Sequence, residues 1–446
     1  FFKRHTDTHP EFSGDLSHDH SVRAMVVRID LATNQEPNST TDKPKLSSRL
    51  DIDNSDSPSA VDFSPRGDYA YITLQGNNEV AVYDVLGIRS GFNNATAWRI
   101  SVGNAPQAVL SDHQNGDLWV KNFLDRSVSK YQLASFLSQG TRDQASIVES
   151  TVTAEALNDN VINGKRTFYR ASDQMSLENY MSCATCHIDG MHDGRVFDFT
   201  QRGEGLRNTT DLRGRSGTGH GRVHWSGNFD EIQDFALDIE NHFGGTGFLA
   251  EGELPHPSLG QANAGRSVVL DDLSAYLESL NNESLPKSPY RDESGSLSSD
   301  ALAGSALFQQ QNCASCHSGS TFTDSSLTSD VLHNVGTLRS SSGKRLNGVL
   351  RGIDTPTLLG VWASGPYLHD GQAANLGDVF SVAGGTIYQA EMGVLSNGAQ
   401  VNNYQDINND GEGHGALVSM VGTNQTVTFE GIDGGQGGVG ALEFRY

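Results

Sequence analysis

The sequence predicts a multidomain protein with an all-β N-terminal region, two tandem and mainly α-helical units, and a short C-terminal β segment. Strand and turn signals that recur every 48 residues indicate the β region. Two Cys-x-x-Cys-His motifs, each flanked by apolar residues at helical spacing, indicate the two helical units. The expected boundaries are residues 1–149 for the β region, 150–290 and 291–420 for the helical units, and 421–446 for the final β segment.

Composition restricts the classes of function. The chain has 446 residues, of which 36% are hydrophobic, and this suits a globular protein of several domains. No apolar run is long enough to predict a transmembrane segment. The formal net charge of −23 argues against nucleic acid as a partner and favours a basic redox partner. The start, Phe1-Phe2-Lys3-Arg4, is expected to be a mature or trimmed end.

The β region, residues 22–135, repeats internally. Tyr69–Thr73 reads as a strand, a turn follows at Gly76-Asn77-Asn78, and Val80–Asp84 alternates like the next strand. Three pairs of like residues are 48 positions apart: Pro58 and Pro106, Val80 and Val128, and Tyr83 and Tyr131. Such a period is typical of β-propeller blades, and the segment resembles the YncE-like propellers. About two to three blades fit, so we expect a partial β-propeller, with a small β-sandwich as the alternative.

Every cysteine of the chain belongs to one of two motifs, Cys183-Ala-Thr-Cys186-His187 and Cys313-Ala-Ser-Cys316-His317. Two thiols at this spacing can add to the two vinyl groups of a haem, and the following histidine then binds the iron as its proximal ligand. The alternatives are a redox dithiol or half of a zinc site. The sequence therefore predicts two covalently bound c-type haems. Such haems are attached outside the cytoplasm, so we expect a periplasmic or extracellular protein, for example at the cell surface.

Helical periodicity surrounds both motifs. We expect one helix to start near Thr153–Leu157 and run to about Tyr169, and another at Val268–Leu280. Asp300 is expected to cap a helix at Ala301–Gln310 that leads to the second motif. The two units also align without a gap, since Trp225 matches His369 and Ile232 matches Leu376. Each unit has a Thr-x-x-Leu element upstream, at 209–212 and 355–358, so we expect a duplicated domain.

Five motifs carry a family resemblance: Ser182-Cys-Ala-Thr-Cys-His-Ile-Asp-Gly190, His224-Trp-Ser-Gly227, Cys313-Ala-Ser-Cys-His-Ser-Gly319, His333-Asn-Val-Gly-Thr337, and the stretch from Thr355 to Gly371. From about residue 155 to 415 the chain resembles the di-haem cytochrome c peroxidase/MauG superfamily, in the subgroup fused to a YncE-like β-propeller. The resemblance implies two tandem, mainly-α cytochrome c domains. It implies a peroxide-reacting first haem, an electron-transfer second haem, and Trp225 as the tryptophan between them.

Two departures from the family pattern affect the axial ligands. The glutamate expected on the distal side of the first haem falls near Gly244, while His242 stands close by and could bind the iron. The Met or Tyr ligand expected at the second haem falls on Ala383, which cannot bind a metal. His414 is the preferred replacement, with His333 and Met392 as alternatives. A closed first haem favours electron transfer over peroxidase chemistry.

The end of the chain offers weaker signals. Asp406, Asn408 and Asp410 begin like a calcium loop, although Leu417 stands where the loop's closing glutamate would be. The last residues alternate like strands and resemble the opening of a carbohydrate-binding module; a plain β-hairpin is the alternative.

Three functions follow from the sequence as hypotheses. The favoured one is electron transfer between two haems, with a redox protein or another cytochrome as partner, in a cell-surface or other extracellular assembly. The second is a di-haem peroxidase or a MauG-like oxidase. The third is binding of glycans or proteins, or contact within an oligomer, through the β regions.

Overall fold

The computed structural model describes residues 24–34, 49–89, 96–143 and 146–382, together with four short strands beyond them. The strands of the β region are β1 Ala24–Val27, β2 Arg49–Ile52, β3 Pro58–Phe63, β4 Tyr69–Leu74, β5 Glu79–Asp84, β6 Thr96–Ser101, β7 Pro106–Ser111, β8 Asp117–Asn122, β9 Ser127–Gln132 and β10 Ser146–Ser150. The later strands are β11 Val196–Asp198, β12 Leu206–Asn208, β13 Leu332–His333, β14 Lys344–Arg345, β15 Gly348–Val349, β16 Ile353–Asp354, β17 Val394–Ser396, β18 Gln400–Asn403, β19 Ala416–Ser419 and β20 Thr426–Thr428.

The α-helices are α1 Val85–Arg89, α2 Ala134–Gln139, α3 Asp159–Tyr169, α4 Cys183–Cys186, α5 Phe235–Asn241, α6 Val268–Ser279, α7 Ser299–Gln310 and α8 Leu376–Val382. Short 3-10 turns lie at Phe123–Asp125, Leu177–Asn179, Ile188–Gly190, Thr200–Arg202, Ile232–Asp234, Asn282–Ser284, Cys313–Ser315, Ser340–Ser342 and Val361–Ala363. Across the described ranges, none of the helices is long and apolar enough to span a bilayer.

Three antiparallel sheets form the β region: the pair β1-β2, the meander β3-β4-β5-β6, and the meander β7-β8-β9-β10. Strand β5 is buried on both faces, which is why four consecutive residues, Val80 to Tyr83, are all inaccessible. Val80 and Val82 pack into the cluster that contains Leu118 of the second meander, whereas Ala81 and Tyr83 pack into the cluster that contains β1 and β2. The sheets therefore stack face to face, as propeller blades do. No closed ring forms within the described residues.

The 48-residue repeat predicted from the sequence is present in the hydrogen bonds. The Asp56 amide donates to the Asn77 side chain at 2.7 Å, and the Asn104 amide donates to the Asp125 side chain, also at 2.7 Å. Asn104 lies 48 positions after Asp56, and Asp125 lies 48 positions after Asn77. Ser57 and Ala105, the next residues, both have a positive φ, at 50° and 51°. The two four-stranded sheets are thus copies of one unit.

A second core joins helices α3 and α6. Phe168 of α3 stacks edge-on against Tyr276 of α6 with 5.1 Å between ring centroids. Gly164 lies where the helices approach most closely, because a Cβ atom there would stand 1.8 Å from the carbonyl oxygen of Asp272. The close approach requires a residue without a side chain.

The ends of two predicted helices differ in the structure. Helix α3 begins at Asp159 and not near Thr153, because the Glu155 carboxylate accepts the amides of Ala156 and Leu157 and holds a turn there. Helix α7 is capped by Ser298, whose hydroxyl accepts the Ala301 amide, and Asp300 lies inside its first turn. The prediction for α6 is confirmed to within one residue.

Two loops, 144 positions apart, share one geometry. Val223 bridges Phe229, and Tyr367 bridges Ala373. His224 has φ 68° and the matching Leu368 has φ 69°. These are the loops that the sequence alignment of Trp225 with His369 brings into register.

Beyond residue 382 the structure describes only the strand pairs β17-β20 and β18-β19. Several predicted positions lie outside the described residues: Ala383, Met392, Asp406, Asn408, Asp410 and His414.

Candidate functional site

The first Cys-x-x-Cys-His motif forms the short helix α4. Ser182 precedes the helix as its N-cap, and its amide donates to the Thr185 hydroxyl at 2.8 Å. The His187 ring then leaves the helix with Nδ1 3.2 Å from the Met191 carbonyl oxygen. A carbonyl accepts only a protonated ring nitrogen, so Nε2 carries the free lone pair. Burial lowers the pKa of His187 and favours the neutral, metal-binding form of the ring.

All four cysteines are free thiols in the structure. Burial raises the pKa of Cys183 to about 12 and that of Cys186 well above its usual value. Thiols that stay protonated at neutral pH supply little reactive thiolate, which disfavours the redox-dithiol alternative.

A cavity of about 210 Å³ opens beside Cys183, Cys186 and His187. Its walls are mostly apolar, with Phe168, Met175 and Leu273 among them. This lining suits the flat, apolar ring of a haem.

The buried guanidinium of Arg215 also reaches this wall, and its Nε donates to the Asp211 carbonyl oxygen. Burial lowers the pKa of Arg215 to about 10, so it remains a cation at neutral pH. A cation in an apolar wall suits a haem propionate. The residues present therefore fit a haem at this position.

One wall of the cavity is polar. Arg202 forms an ion pair with buried Asp238 at 3.1 Å, and the same guanidinium lies 3.1 Å from Nδ1 of His224. Burial, and then the nearby Arg202, lower the pKa of His224 to about 3, so the ring is neutral. Burial raises the pKa of Asp238 to about 6, although Arg202 opposes the shift. A neutral imidazole and a guanidinium thus line the cavity, and the Asp238 carboxyl group is paired with that guanidinium outside the lining.

Glu204 supports this wall from behind. Its carboxylate accepts from the Ser226 hydroxyl and the Asn228 amide, both at 2.7 Å, and from Arg207 at 2.8 Å. Asn228 in turn lies 2.7 Å from Nδ1 of His224. The loop that carries Trp225 is therefore held by a buried carboxylate with several donors.

Trp225 lines the same cavity as Cys183, Cys186 and His187. Its indole N–H donates to the Asn208 carbonyl at 2.8 Å, and its own carbonyl accepts the Asp354 amide at 2.9 Å. Thr355 and Pro356, the next residues, also line the cavity. Trp225 therefore contacts both the cavity beside the first motif and the segment that contains Asp354.

The second motif is a 3-10 turn at Cys313–Ser315, followed by Cys316 and His317. Nδ1 of His317 lies 3.1 Å from the Phe322 carbonyl, which again leaves Nε2 as the free lone pair. Burial lowers the pKa of His317.

A short set of contacts links the second motif to Trp225. The Thr323 hydroxyl, next to Phe322, donates to the Thr355 carbonyl at 2.6 Å. Thr355 follows Asp354, which bonds to Trp225. His333, an alternative ligand in the sequence analysis, bonds Asp324 at 2.8 Å and forms with Cys316 a compact cluster beside this motif.

The sequence analysis named one further ligand within the described residues, His242. It follows helix α5 as its C-cap, and burial lowers its pKa to about 4. The residues that line the cavity include Phe243, His220 and His224 but not His242. Sequence reasoning did not single out His220, Arg202 or Asp238, and it quoted His224 only as part of a motif. His220 and His224 are four positions apart and precede Trp225 in the sequence, and this spacing is the pattern that could have identified both.

Comparison with known proteins gives one match among curated sequences. Over 242 residues the chain is 28% identical to hydrazine synthase subunit gamma from Kuenenia stuttgartiensis. The match covers 46% of this chain and 65% of that protein, so it spans less than two thirds of the relative's length. This similarity supports a relationship to the di-haem cytochrome c peroxidase/MauG-like proteins. No family model matches the chain.

Solved structures give partial matches. Hydrazine synthase of Kuenenia stuttgartiensis, under 20 bar of xenon, matches 52% of this chain and 81% of its own at 24% identity, with a TM-score of 0.38. A MauG-like protein associated with microbial copper homeostasis matches 51% of this chain and 75% of its own at 17% identity, with a TM-score of 0.34. The β-propeller domain of Cps50 (Swd1) from Myceliophteria thermophila matches 22% of this chain and 31% of its own at 11% identity, with a TM-score of 0.18. At these TM-scores none of the three establishes a common fold.

Proposed function

We propose that this chain is an exported di-haem c-type cytochrome that moves electrons between two thioether-linked haems. Cys183, Cys186 and His187 would hold the first haem, and Cys313, Cys316 and His317 the second. One observation carries the proposal: Trp225 lines the cavity beside the first motif and is bonded to Asp354, whose neighbour Thr355 accepts a hydrogen bond from Thr323 near the second motif.

The histidines support the assignment of the proximal ligands. In both motifs the ring nitrogen Nδ1 faces a backbone carbonyl a few residues later, at 3.2 Å for His187 and 3.1 Å for His317. The hydrogen bond fixes the tautomer and the ring orientation, and it increases the basicity of Nε2. A zinc knuckle would bring the two cysteines of a motif together with a second ligand pair, whereas the two motifs are in separate helical units.

When bound, haem iron supplies one-electron chemistry at both sites. The residues of the chain control the environment of that chemistry. The apolar walls would exclude water, Arg215 would neutralise a propionate, and Trp225 would supply an aromatic ring on the route between the two sites. The bond from Trp225 to the Asn208 carbonyl and the bond it accepts from Asp354 fix this ring in place.

A second candidate function is catalysis at the first haem, as in a di-haem peroxidase or a MauG-like oxidase. The polar wall of His224 and Arg202, with Asp238 paired to Arg202, favours it, because a neutral imidazole can take up a proton and a carboxyl group with a pKa of about 6 can release one near neutral pH. The similarity to hydrazine synthase subunit gamma also favours catalysis, because that relative is a subunit of an enzyme. Electron transfer would be favoured by a first iron whose coordination is completed by protein side chains. Catalysis would instead require a coordination position that is open to the substrate.

Carbon monoxide separates these two functions. If His242 or another side chain occupies the remaining coordination position of the first iron, the reduced protein will not bind carbon monoxide at that site. Rapid binding at the first haem, detected in the ferrous spectrum, would count against pure electron transfer. Peroxide turnover with a reduced donor would then establish the enzyme, and a His224→Gln variant with unchanged turnover would exclude this imidazole as the base.

The remaining assignments are proposals that follow from the same chemistry. Haem attachment outside the cytoplasm places the protein in the periplasm or at the cell surface. A basic redox protein or another cytochrome suits the net charge of −23. Calcium would bind at Asp406, Asn408 and Asp410, and the β regions would bind glycans or other subunits.

Intact mass with cysteine variants tests the central proposal. The native chain expressed in a host that matures c-type cytochromes should carry the mass of two added haems. Cys183→Ala/Cys186→Ala and Cys313→Ala/Cys316→Ala should each lose one, as judged from haem-bearing peptides after digestion. Ser315→Ala, which changes the second motif without removing a thiol, is the control. A native chain without added porphyrin mass would end the proposal.

A further inference from the structure

A buried carboxylate of the β region contacts the first haem motif. Asp56 lies between β2 and β3 and is completely inaccessible to solvent. Its Oδ2 accepts from the Ser182 hydroxyl at 2.6 Å, and its Oδ1 accepts from the Thr185 hydroxyl at 2.8 Å. These two residues flank Cys183 and Ala184, at the start of helix α4. They are 126 and 129 positions away from Asp56 in the sequence.

The surroundings of Asp56 hold the carboxylate in one orientation. Its amide donates to the Asn77 side chain at 2.7 Å, and the neighbouring Ser57 hydroxyl donates to Oδ1 at 2.8 Å. Gly76 leaves room for the side chain, because a Cβ atom there would stand 2.2 Å from Oδ2. Burying a carboxylate is costly unless donors surround it, and here three hydroxyl groups do so.

The turn between β4 and β5, which contains Gly76 and Asn77, forms two more hydrogen bonds with the residues that precede α4. The Asn77 side chain donates to the Asn179 carbonyl at 2.9 Å, and the Ala171 amide donates to the Gly76 carbonyl at 2.8 Å. The β region therefore bonds to the chain at three places: before the turn at 177–179, at its last residue, and at the start of α4. These bonds are made by Gly76, Asn77 and Asp56 in that order.

The internal repeat shows that this carboxylate is not required by the β fold. Asn104 occupies the position 48 residues after Asp56 and makes the same backbone bond, to Asp125. Its side chain turns to Asp125 and Asn78 within the β region, at 2.7 and 3.0 Å. An asparagine thus satisfies the repeat, and the carboxylate in the first copy has a separate role at the haem motif.

We propose that Asp56 is a positioning residue of the first haem site, through which the β region fixes the attachment helix and places a negative charge beside the haem. The inference rests on the proposed function, since it requires a haem at Cys183 and Cys186. Both hydroxyl groups have an acceptor-only partner, so both are oriented toward Asp56 and the start of α4 cannot rotate freely. Burial raises the pKa of Asp56, and the hydrogen bonds from Ser182, Ser57 and Thr185 oppose that shift, so these three hydroxyl groups favour the charged form.

Two substitutions separate positioning from charge. Asp56→Ala removes both acceptors, and Asp56→Asn keeps one oxygen and the shape but removes the charge. The control is Asp62→Asn, which alters a carboxylate of β3 that accepts the Ser111 amide within the β region. Haem content of each motif is measured from haem-bearing peptides, and the midpoint potential of each haem is measured by spectroscopic titration.

Asp56→Ala should lower haem attachment at the first motif about tenfold or more and leave the second motif loaded. Asp56→Asn should restore most of the attachment and raise the midpoint potential of the first haem alone, because a negative charge that stabilises the oxidised iron is lost. Asp62→Asn should match the native protein in both measurements.

Full attachment and unchanged potentials in both Asp56 variants would overturn the inference, and so would an equal loss of haem from both motifs. A native chain without haem at the first motif would instead refute the proposed function, so the two failures are distinguishable.

Discussion

Asp354 donates its backbone N–H to the carbonyl oxygen of Trp225 at 2.9 Å, and this bond joins the two helical units. Asn208 precedes the Thr-x-x-Leu element at 209–212 as Asp354 precedes the one at 355–358, and it donates its backbone amide to the carbonyl of His369 at 2.6 Å. Trp225 and His369 occupy equivalent positions in their loops. Each of the two segments therefore donates one backbone hydrogen bond to the other's loop, and these bonds hold the loop that carries Trp225 against the segment of Asp354.

Replacing Trp225 with phenylalanine should slow electron transfer between the two haems. The smaller ring leaves part of the gap unfilled, and losing the indole bond to Asn208 costs about 1 kcal/mol of stability. Stopped-flow reduction by a one-electron donor, followed at the absorption band of each haem, measures the rate. Trp119→Phe, at a half-exposed tryptophan of β8, is the control. Equal rates in the native protein and Trp225→Phe would remove Trp225 from the path.

Gly164→Ala should destabilise the protein by about 1–3 kcal/mol, because the added methyl group collides with the Asp272 carbonyl where α3 and α6 cross. Gly304→Ala is a matched helical control in α7, where a Cβ atom meets nothing within 4 Å. That change should be neutral or stabilise by about 0.5–1 kcal/mol. Urea unfolding of both variants measures the difference. Equal stability of the two would show that the helices can separate at no cost.

Asp354→Asn should stabilise the protein at alkaline pH. Burial raises the pKa of Asp354 to about 7, against 3.8 in an exposed carboxyl group. Between these values the folded chain holds a proton that the unfolded chain has released, so native stability falls as pH rises through this window. The variant should therefore be more stable by about 2–4 kcal/mol at pH 8 and equal near pH 4. A constant difference across this range would mean that Asp354 does not titrate there.

His220→Gln should have the opposite dependence on pH. Burial, and then the nearby Arg215, lower the pKa of His220 from 6.5 to about 3. Below pH 6.5 the unfolded chain takes up a proton that the folded chain refuses, so the native protein loses stability as pH falls. The variant should lose less stability between pH 6.5 and 4, as measured by urea unfolding at several pH values. Parallel curves for both proteins would place His220 in contact with solvent.

The sequence predicted the local features well. The period of 48 residues identified the two four-stranded sheets, because each sheet is a meander of neighbouring strands. Apolar spacing located α6 almost to the residue. Helix starts were less accurate: Glu155 and Ser298 decide them through side-chain bonds to nearby amides, and several polar residues nearby could have done the same.

Two Cys-x-x-Cys-His motifs are determined by the sequence alone, because the thiols and the histidine of each lie within five consecutive residues. Only the tertiary structure decided which groups complete the first site. Arg202 and His224 meet at the cavity, Asp238 pairs with Arg202, and Asp56 reaches Ser182 across 126 positions. Such contacts depend on how the sheets and helices pack, and packing places side chains together without leaving a period or a spacing in the chain.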